Sequence, residues 1–364
     1  MVQSFEIYYM KCYSILLLSM VMLGGHGAAF PQFANQRPAR VSTYSEPFTA
    51  GQSQSTGGIT YRSVATDKNG SVWIGGKILE QGLLLQVDPA LIPISLPKIP
   101  SVQRISFSKP GSGWFISQGI LYSLSDSGWA PAAVSEQGSF GEVYFLNHDL
   151  GWVIGDGGRL YKTLDGGRTW HRKKSGVSAN LQKIQFVNPL DGWVTGVSGD
   201  ASQRPRVFLI TRNGGDSWVN LSSNPFPAIY AFSFVNEFEG WSIDENNNVL
   251  QTTDGGRTWS LQRKGGRENW NDVHFISNEQ GWLAGDGILS TRDGGKTWTS
   301  QLASSGGDAE RFLDQILFID NRRGWAVGLF RVLYTRDGGK QWCALPDKWE
   351  EAALSRVLKE MKQR

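Results

Sequence analysis

Five copies of a short phrase carry the most regularly placed acidic groups in the chain. They read TLDGGRTW (163–170), TRNGGDSW (211–218), TTDGGRTW (252–259), TRDGGKTW (291–298) and TRDGGKQW (335–342). Carboxylates in repeated Gly-rich turns could bind Ca²⁺ or act as acids and bases. A calcium loop needs several oxygen ligands, whereas each phrase offers one carboxylate followed by glycines and often a cation. Asn213 replaces the acid in one copy, and a catalytic carboxylate would not survive that change.

A structural role for the phrase explains these residues better. Asp-Gly and Gly-Gly are hairpin signals because glycine adopts positive φ without a steric cost. An Asp or Asn oxygen accepts hydrogen bonds from backbone N–H groups of its own turn, and the final Trp begins the next strand. We therefore predict turn-forming and packing roles for Asp165, Asn213, Asp254, Asp293, Asp337, Trp170, Trp218, Trp259, Trp298 and Trp342.

Other residues that could do chemistry are scattered along the chain. His148, His171 and His274 have no metal-ligand spacing, so each is interpreted as a surface or core histidine. A group of acids falls in predicted turns and is interpreted as a solvated rim: Asp149, Asp191, Glu237, Glu239 and Glu279. No acid and base pair stands out, and the sequence predicts no catalytic residue, no metal and no cofactor.

A second repeated phrase, an apolar alternation followed by a turn and Gly-Trp, organises the chain. Its tryptophans are Trp73, Trp114, Trp152, Trp193, Trp241, Trp282 and Trp325, spaced 41, 38, 41, 48, 41 and 43 residues apart. This is the length of a four-stranded propeller blade. Four short strands cannot bury both faces of one sheet, but seven sheets arranged radially can. The sequence predicts an all-β, seven-bladed β-propeller with four-stranded antiparallel blades over residues 57–346.

The unit around Trp193 shows how one blade is divided. Period-2 alternation predicts strand A at Lys183–Val187, strand B at Trp193–Val197, strand C at Val207–Thr211 and strand D at Ser217–Leu221. The Asp-Gly-Gly phrase then lies between strands C and D. After the propeller, residues 347–364 have a helical pattern, and we predict a short C-terminal helix.

The N-terminal residues have the pattern of an export signal. Lys11 precedes the apolar run ILLLSMVML, and small residues follow it, so residues 1–29 are predicted to be a signal peptide. Residues 30–56 are rich in Gln, Ser, Pro and Ala and predict a flexible extension. Lys and Arg total 36 against 33 Asp and Glu, giving a net charge of +3 without a concentrated basic run. We therefore expect no nucleic-acid partner, and we expect a monomer.

The turn phrase resembles the Asp-box, or BNR repeat, of sialidases, sortilin-type receptors and photosystem II assembly factors. Together with the Gly-Trp phrase, over roughly residues 57–345, the chain most resembles the Ycf48/HCF136 family. That resemblance implies an exported, non-catalytic propeller that is periplasmic or secreted, or lies in the thylakoid lumen if the source is photosynthetic. Its expected partner is a protein, namely a membrane protein or its assembly intermediate. The alternative is a secreted Asp-box glycoside hydrolase or a carbohydrate-binding propeller, but seven units and the absence of Arg-Ile-Pro depart from the sialidase pattern.

A group of cations falls on one predicted face of the propeller, where the B–C and D–A connections lie. The resemblance implies an arginine patch for binding the partner, but no patch residue can be aligned one by one. Acids on the same face leave an ordinary mixed-charge surface as the alternative interpretation. The candidate partner-binding residues are Arg159, Arg172, Arg204, Arg206, Arg263 and Arg267.

Overall fold

The structure is a computed structural model, and it describes residues 59–67, 70–88, 92–96, 99–109, 112–125, 128–134, 139–198, 206–222, 227–303, 312–345 and Lys359. The predicted signal peptide (1–29) and extension (30–56) lie outside these residues and stay predictions. Of the predicted C-terminal helix at 347–364, the structure describes Lys359 alone. That helix is therefore not supported.

Seven four-stranded antiparallel sheets confirm the predicted propeller, and each blade runs A, B, C, D in chain order. The A strands are β1 Ile59–Thr66, β5 Arg104–Lys109, β9 Phe140–Phe145, β13 Ala179–Phe186, β17 Ile229–Phe234, β21 Trp270–Phe275 and β25 Gln315–Phe318. The B strands are β2 Val72–Ile78, β6 Ser112–Ser117, β10 Gly151–Gly155, β14 Gly192–Ser198, β18 Gly240–Asp244, β22 Gly281–Gly285 and β26 Gly324–Gly328.

The two outer strands of each blade are shorter on average. The C strands are β3 Gln81–Asp88, β7 Ile120–Ser125, β11 Leu160–Thr163, β15 Arg206–Thr211, β19 Val249–Thr252, β23 Ile288–Thr291 and β27 Arg331–Thr335. The D strands are β4 Ile92–Leu96, β8 Gly128–Pro131, β12 His171–Arg172, β16 Val219–Asn220, β20 Ser260–Arg263, β24 Thr299–Leu302 and β28 Cys343–Ala344. We call the side with the B–C turns and D–A loops the B–C face, and the side with the A–B and C–D turns the A–B face.

Neighbouring blades are joined by a repeated aromatic contact. At six of the seven junctions, the Gly-Trp tryptophan of one blade stacks on a Phe at or near the end of strand A of the next blade. In the junction between blades 5 and 6, Trp241 and Phe275 have ring centroids 3.7 Å apart and planes 3° apart. Trp241 Nε1 also donates to the carbonyl of Gly294, in the Asp-Gly-Gly turn of blade 6, at 2.8 Å. The Asp-box Trp298 packs edge-on against the same Phe275. Both repeated phrases therefore contribute to the junctions between blades.

The ring closes without a shared blade among the described residues. Blade 1 takes all four strands from β1–β4, and blade 7 takes all four from β25–β28. The Tyr61 amide donates to the Leu329 carbonyl at 3.0 Å, and the Val64 amide donates to Gln315 Oε1 at 2.9 Å. Trp325 is buried with residues of both blades in one apolar cluster. Side-chain packing and these two hydrogen bonds therefore join the first and last blades.

Candidate partner-binding face

The Asp-box carboxylates face into their own turns. Asp165 Oδ1 accepts from the Thr163 hydroxyl at 2.8 Å and from the Thr169 amide at 2.9 Å, while Oδ2 accepts from the Thr169 hydroxyl at 2.6 Å. These bonds, led by the one from the Thr169 hydroxyl, lower the pKa of Asp165 to about 2. Asn213 keeps the acceptor role, because its Oδ1 accepts from the Ser217 amide at 3.0 Å. The oxygens are thus occupied by the turn itself.

Acid titration distinguishes the two kinds of box. The pKa of Asp165 in the folded protein lies below its ordinary value of 3.8, so its stabilising contribution is present above about pH 4 and is lost as the pH falls toward 2. We expect Asp165→Asn to lower the Tm at pH 7, with the gap to wild type closing near pH 2. Asn213→Asp, the matched converse, should steepen the loss of Tm on acidification. Thermal unfolding followed by circular dichroism between pH 7 and pH 2 measures both effects. An equal fall of Tm with decreasing pH in wild type and both variants would contradict this account.

Charged side chains on the A strands form ties between blades. Lys183 of blade 4 and Asp272 of blade 6 form an ion pair of 2.7 Å that skips blade 5, which has Ala231 at the same position of its strand A. The other Asp272 oxygen accepts from the Ile316 amide of blade 7 at 3.1 Å. This pair was not predicted from the sequence, although Lys183, Ala231 and Asp272 each lie three residues before the last Phe of their strand.

A second ion pair continues this layer around the ring. Arg104 Nε of blade 2 lies 3.4 Å from Glu142 Oε2 of blade 3. Burial raises the pKa of Glu142, and the positive charges of Arg104 and Lys183 oppose that rise. The carboxylates in this layer are therefore engaged with cations, and the arrangement ties blades 2 to 3 and 4 to 6.

On the B–C face, two of the candidate arginines belong to one row of contacts across blades 4 to 6. The Arg206 guanidinium lies over the Tyr230 ring, 5.3 Å from its centroid. The Tyr230 hydroxyl donates to the Trp270 carbonyl, and the Arg263 guanidinium lies 5.6 Å from the centroid of the Trp270 ring. We call Arg206, Tyr230, Trp270 and Arg263 the arginine–aromatic row. The aromatic members were missed, and the signal for Trp270 was its position outside both repeated phrases.

Acidic neighbours balance much of the positive charge in this row. Arg206 Nε lies 3.0 Å from Glu245 Oε1, and Arg263 Nη2 lies 3.6 Å from Glu268 Oε2. Both pairs are partly exposed, so each contributes little stability but fixes the orientation of its arginine. The row thus presents ordered guanidinium groups rather than a strong positive field.

The remaining candidate arginines do not join the row through the contacts that the structure gives. Arg159 donates from Nη1 to the Asp156 carbonyl at 2.9 Å, within its own B–C turn. Arg172 and Arg267 are exposed on the same face. Arg204 lies outside the described residues. The structure therefore places Arg206 and Arg263 in one row of contacts, and a partner-binding role stays a prediction for all six arginines.

Several polar atoms at this part of the B–C face are buried without a hydrogen-bond partner in the part of the chain that the structure describes. They are two donors, Arg263 Nη1 and Trp270 Nε1, and one acceptor, Asp286 Oδ1. The other Asp286 oxygen accepts from the Asn269 amide at 2.8 Å, directly beside Trp270. A buried polar atom without a partner costs about 1–3 kcal/mol.

The described residues provide neither a metal-binding cluster nor a membrane-spanning helix. No set of three or more His, Cys, Asp and Glu side chains in this part of the chain is placed to hold a metal ion. Nor does a helix there have the length and apolar character required to cross a bilayer.

Solved structures with this architecture include proteins of different activities. The structure described as YCF48 bound to D1 peptide has a TM-score of 0.61 and 18% identity, covering 77% of this chain and 93% of the other. YCF48 from Cyanidioschyzon merolae has a TM-score of 0.59 and 17% identity, covering 77% and 95%. The GH74 enzyme of Niastella koreensis has a TM-score of 0.55 and 16% identity, covering 77% and 43%. At such identities the likeness shows the fold alone, and the chain is thus an Asp-box β-propeller with seven blades.

The sequence assigns the propeller to one family. A model of the family described as Photosynthesis system II assembly factor YCF48 matches residues 98–202, 122–228 and 263–348, which together cover more than half of the chain. The chain belongs to this family.

Curated relatives match over a smaller part. The Photosystem II assembly protein Ycf48 of Synechococcus sp. (strain JA-2-3B'a(2-13)) is 34% identical over 108 residues, which is 27% of this chain and 32% of that protein. The Photosystem II assembly lipoprotein Ycf48 of Synechocystis sp. (strain ATCC 27184 / PCC 6803 / Kazusa) is 32% identical over 108 residues, covering 27% and 31%. The matches span about a third of the length of these relatives.

Proposed function

We propose that this chain is an exported, non-catalytic propeller that binds a protein partner during assembly of photosystem II. The relatives named as photosystem II assembly proteins support the process, and the family member solved with a D1 peptide supports a protein partner. The signal-peptide pattern and the relative named as a lipoprotein support export, with a periplasmic or lumenal location as part of the proposal.

The observation that carries the proposal is the arginine–aromatic row with its unsatisfied polar atoms. An extended peptide offers alternating carbonyl and N–H groups along its backbone. The Arg263 side chain is partly exposed, and a small rotation would present Nη1 to a peptide carbonyl. The Tyr230 and Trp270 rings hold the two arginines in place. This combination suits a peptide segment from a protein partner.

A glycosidase activity has less support from the carboxylates. Retaining and inverting glycosidases both need two carboxyl groups that face a shared substrate. Glu142 and Asp272, which lie on the innermost strands, are each paired with a cation of another blade. Asp272 is also buried, with hydrogen bonds to both oxygens. These contacts describe structural ties, which supports the non-catalytic proposal.

Neutralising the row tests the proposal directly. We expect Arg206→Gln/Arg263→Gln to weaken binding of D1 peptides about tenfold and to reduce the salt dependence of binding, because two ordered guanidinium groups are lost. Fluorescence anisotropy with overlapping labelled peptides from the D1 sequence measures the affinity. Affinity purification from the native membrane with mass spectrometry measures the complex.

Charge controls come from the opposite face. Arg168→Glu/Arg257→Glu changes exposed arginines in the turns of blades 3 and 5 on the A–B face, and it should leave D1-peptide affinity within about twofold. Equal affinity of wild type and the glutamine double variant, with unchanged thermal unfolding, would overturn the assignment of the row. Cleavage of a glycan by the purified protein would overturn the non-catalytic function itself.

A further inference from the structure

The turns of blade 7 on the A–B face are unusually basic. Arg322 lies at the tip of the A–B turn, Arg336 precedes the Asp-box Asp, and Lys340 follows the two glycines. Arg292 occupies the position of Arg336 in the preceding blade. Arg292, Arg322 and Lys340 are exposed, and Arg336 is partly buried. We call these four residues the blade 7 basic cluster.

The backbone brings the four residues together around one glycine. The Gly338 amide donates to the Arg322 carbonyl at 2.8 Å, which joins the A–B turn to the Asp-box turn. Arg292 Nη2 reaches across from blade 6 and lies 3.7 Å from the position that a Cβ on Gly338 would take. In the sequence, Arg336 lies two residues before Gly338 and Lys340 lies two residues after it. The cluster is therefore a local feature of the junction between blades 6 and 7.

An arginine at this position in blade 4 has a structural role, which provides a comparison. Arg212 pairs through Nη1 with Asp191 Oδ1 at 3.1 Å and donates from Nη2 to the Gly255 carbonyl of the next blade at 3.0 Å. Its charge is thus compensated within the propeller, and its guanidinium is held between blades 4 and 5.

The equivalent arginines of blades 6 and 7 lack that acidic partner. The residue before Gly-Trp, which is Asp191 in blade 4, is Gln280 in blade 6 and Arg323 in blade 7. Arg323 is itself paired with Asp320 at 2.7 Å. No ion pair within the described residues involves Arg292 or Arg336, so a role in fixing the blades does not account for their charge.

We propose that the blade 7 basic cluster is a second docking site, which binds an acidic segment of a protein partner. This site lies on the face opposite the arginine–aromatic row, so it adds a second contact to the proposed function and is independent of D1-peptide binding. A propeller with a binding site on each face can hold two segments at once.

The charge pattern of the rest of this face favours a narrow acidic segment over a flat anionic surface. The corresponding turn tips carry the exposed Asp149 in blade 3 and the exposed Glu279 in blade 6. A membrane covering the whole face would meet both acids, whereas a narrow segment that follows the two turns of blade 7 would contact Arg322, Arg336 and Lys340 without crossing the turn tip of Glu279. An extended segment with several Asp or Glu residues therefore has the complementary shape and charge.

The test measures binding of a fluorescein-labelled peptide of alternating Glu and Ser to the full chain, with an alternating Gln and Ser peptide as reference. We expect the acidic peptide to bind with a salt-sensitive affinity that falls about tenfold in Arg292→Glu/Arg336→Glu/Lys340→Glu, because exposed ion pairs each contribute up to about 1 kcal/mol. Thermal unfolding of the triple variant confirms that the propeller is intact.

Matched variants distinguish binding at the blade 7 basic cluster from binding at the arginine–aromatic row. Arg168→Glu/Arg257→Glu, on the same face in blades 3 and 5, and Arg206→Gln/Arg263→Gln, on the opposite face, should both bind the acidic peptide as wild type does. Equal binding by the folded triple variant would overturn the proposal. Binding to vesicles containing an anionic phospholipid, without binding to the acidic peptide, would also overturn it in favour of a membrane surface. Failure of D1-peptide binding would affect the proposed function only.

Discussion

Trp241→Ala is expected to lower the free energy of unfolding by about 3–5 kcal/mol, the range for removing a large aromatic side chain from a core. The Trp241 side chain is fully buried. Its removal eliminates the stack on Phe275 and the hydrogen bond to the Gly294 carbonyl. Both contacts join blades 5 and 6, so the loss acts on a junction rather than on one sheet. Urea unfolding followed by tryptophan fluorescence and circular dichroism measures the change.

A pair of phenylalanine variants separates the two contacts. Trp282 is also fully buried and stacks on Phe318 at 3.5 Å, but its Nε1 has no hydrogen-bond partner among the described residues. The equivalent carbonyl, that of Gly338, accepts from Gln301 Nε2 at 3.0 Å instead. We expect Trp241→Phe to cost about 1 kcal/mol more than Trp282→Phe, the value of one buried hydrogen bond. Equal costs would show that the N–H contributes nothing to the junction.

Lys183→Met is expected to destabilise the propeller by about 2–4 kcal/mol, because it leaves the Asp272 carboxylate buried without its cation. The Lys183 side chain is 30% exposed, which places the effect below that of a fully buried pair. Asp272→Asn should cost less, since the amide oxygen can still accept from the Ile316 amide and Lys183 can reach solvent. Equilibrium urea unfolding of the two single variants and of Lys183→Met/Asp272→Asn gives the coupling energy.

An exposed ion pair of the same length serves as the control. Arg323 and Asp320 also lie 2.7 Å apart, with side chains 46% and 38% exposed. Arg323→Met should cost less than about 1 kcal/mol. If Lys183→Met costs no more than Arg323→Met, the pair across blade 5 is not a structural tie.

The sequence predicted the propeller because its repeated residues form the contacts between blades. Trp241 and Trp298 recur at blade spacing, and each packs against a Phe of the same period. The boundaries of strand A were less accurate. Lys183–Val187 was predicted in blade 4, whereas the strand begins at Ala179. A bulge between Leu181 and Lys183 breaks the two-residue alternation there. The alternation therefore does not reveal the first paired residues of the strand, from Ala179 onward.

The candidate site was predicted only in part. The order of strands in a blade predicts which face carries the site. It places Arg206, at the start of a strand C, and Arg263, at the end of a strand D, on the B–C face. Their aromatic supports do not follow, because the tie between Tyr230 and Trp270 joins residues 40 positions apart in different blades. The Lys183–Asp272 pair, 89 positions apart, skips a whole blade. Such contacts depend on how the ring is closed, which no local pattern specifies.

The junction between blades also bears on how such a chain can grow. The Gly-Trp phrase of one blade contacts the Asp-box of the next, as Trp241 does with Gly294. Each junction therefore needs one phrase from each of two neighbouring blades. A duplicated stretch of DNA that is cut at equivalent points therefore reproduces a full junction at both of its ends, wherever in the repeat the cut falls. Tandem duplication can then add a blade without requiring compensating mutations at the new boundaries, which leaves ring geometry as the main limit on blade number.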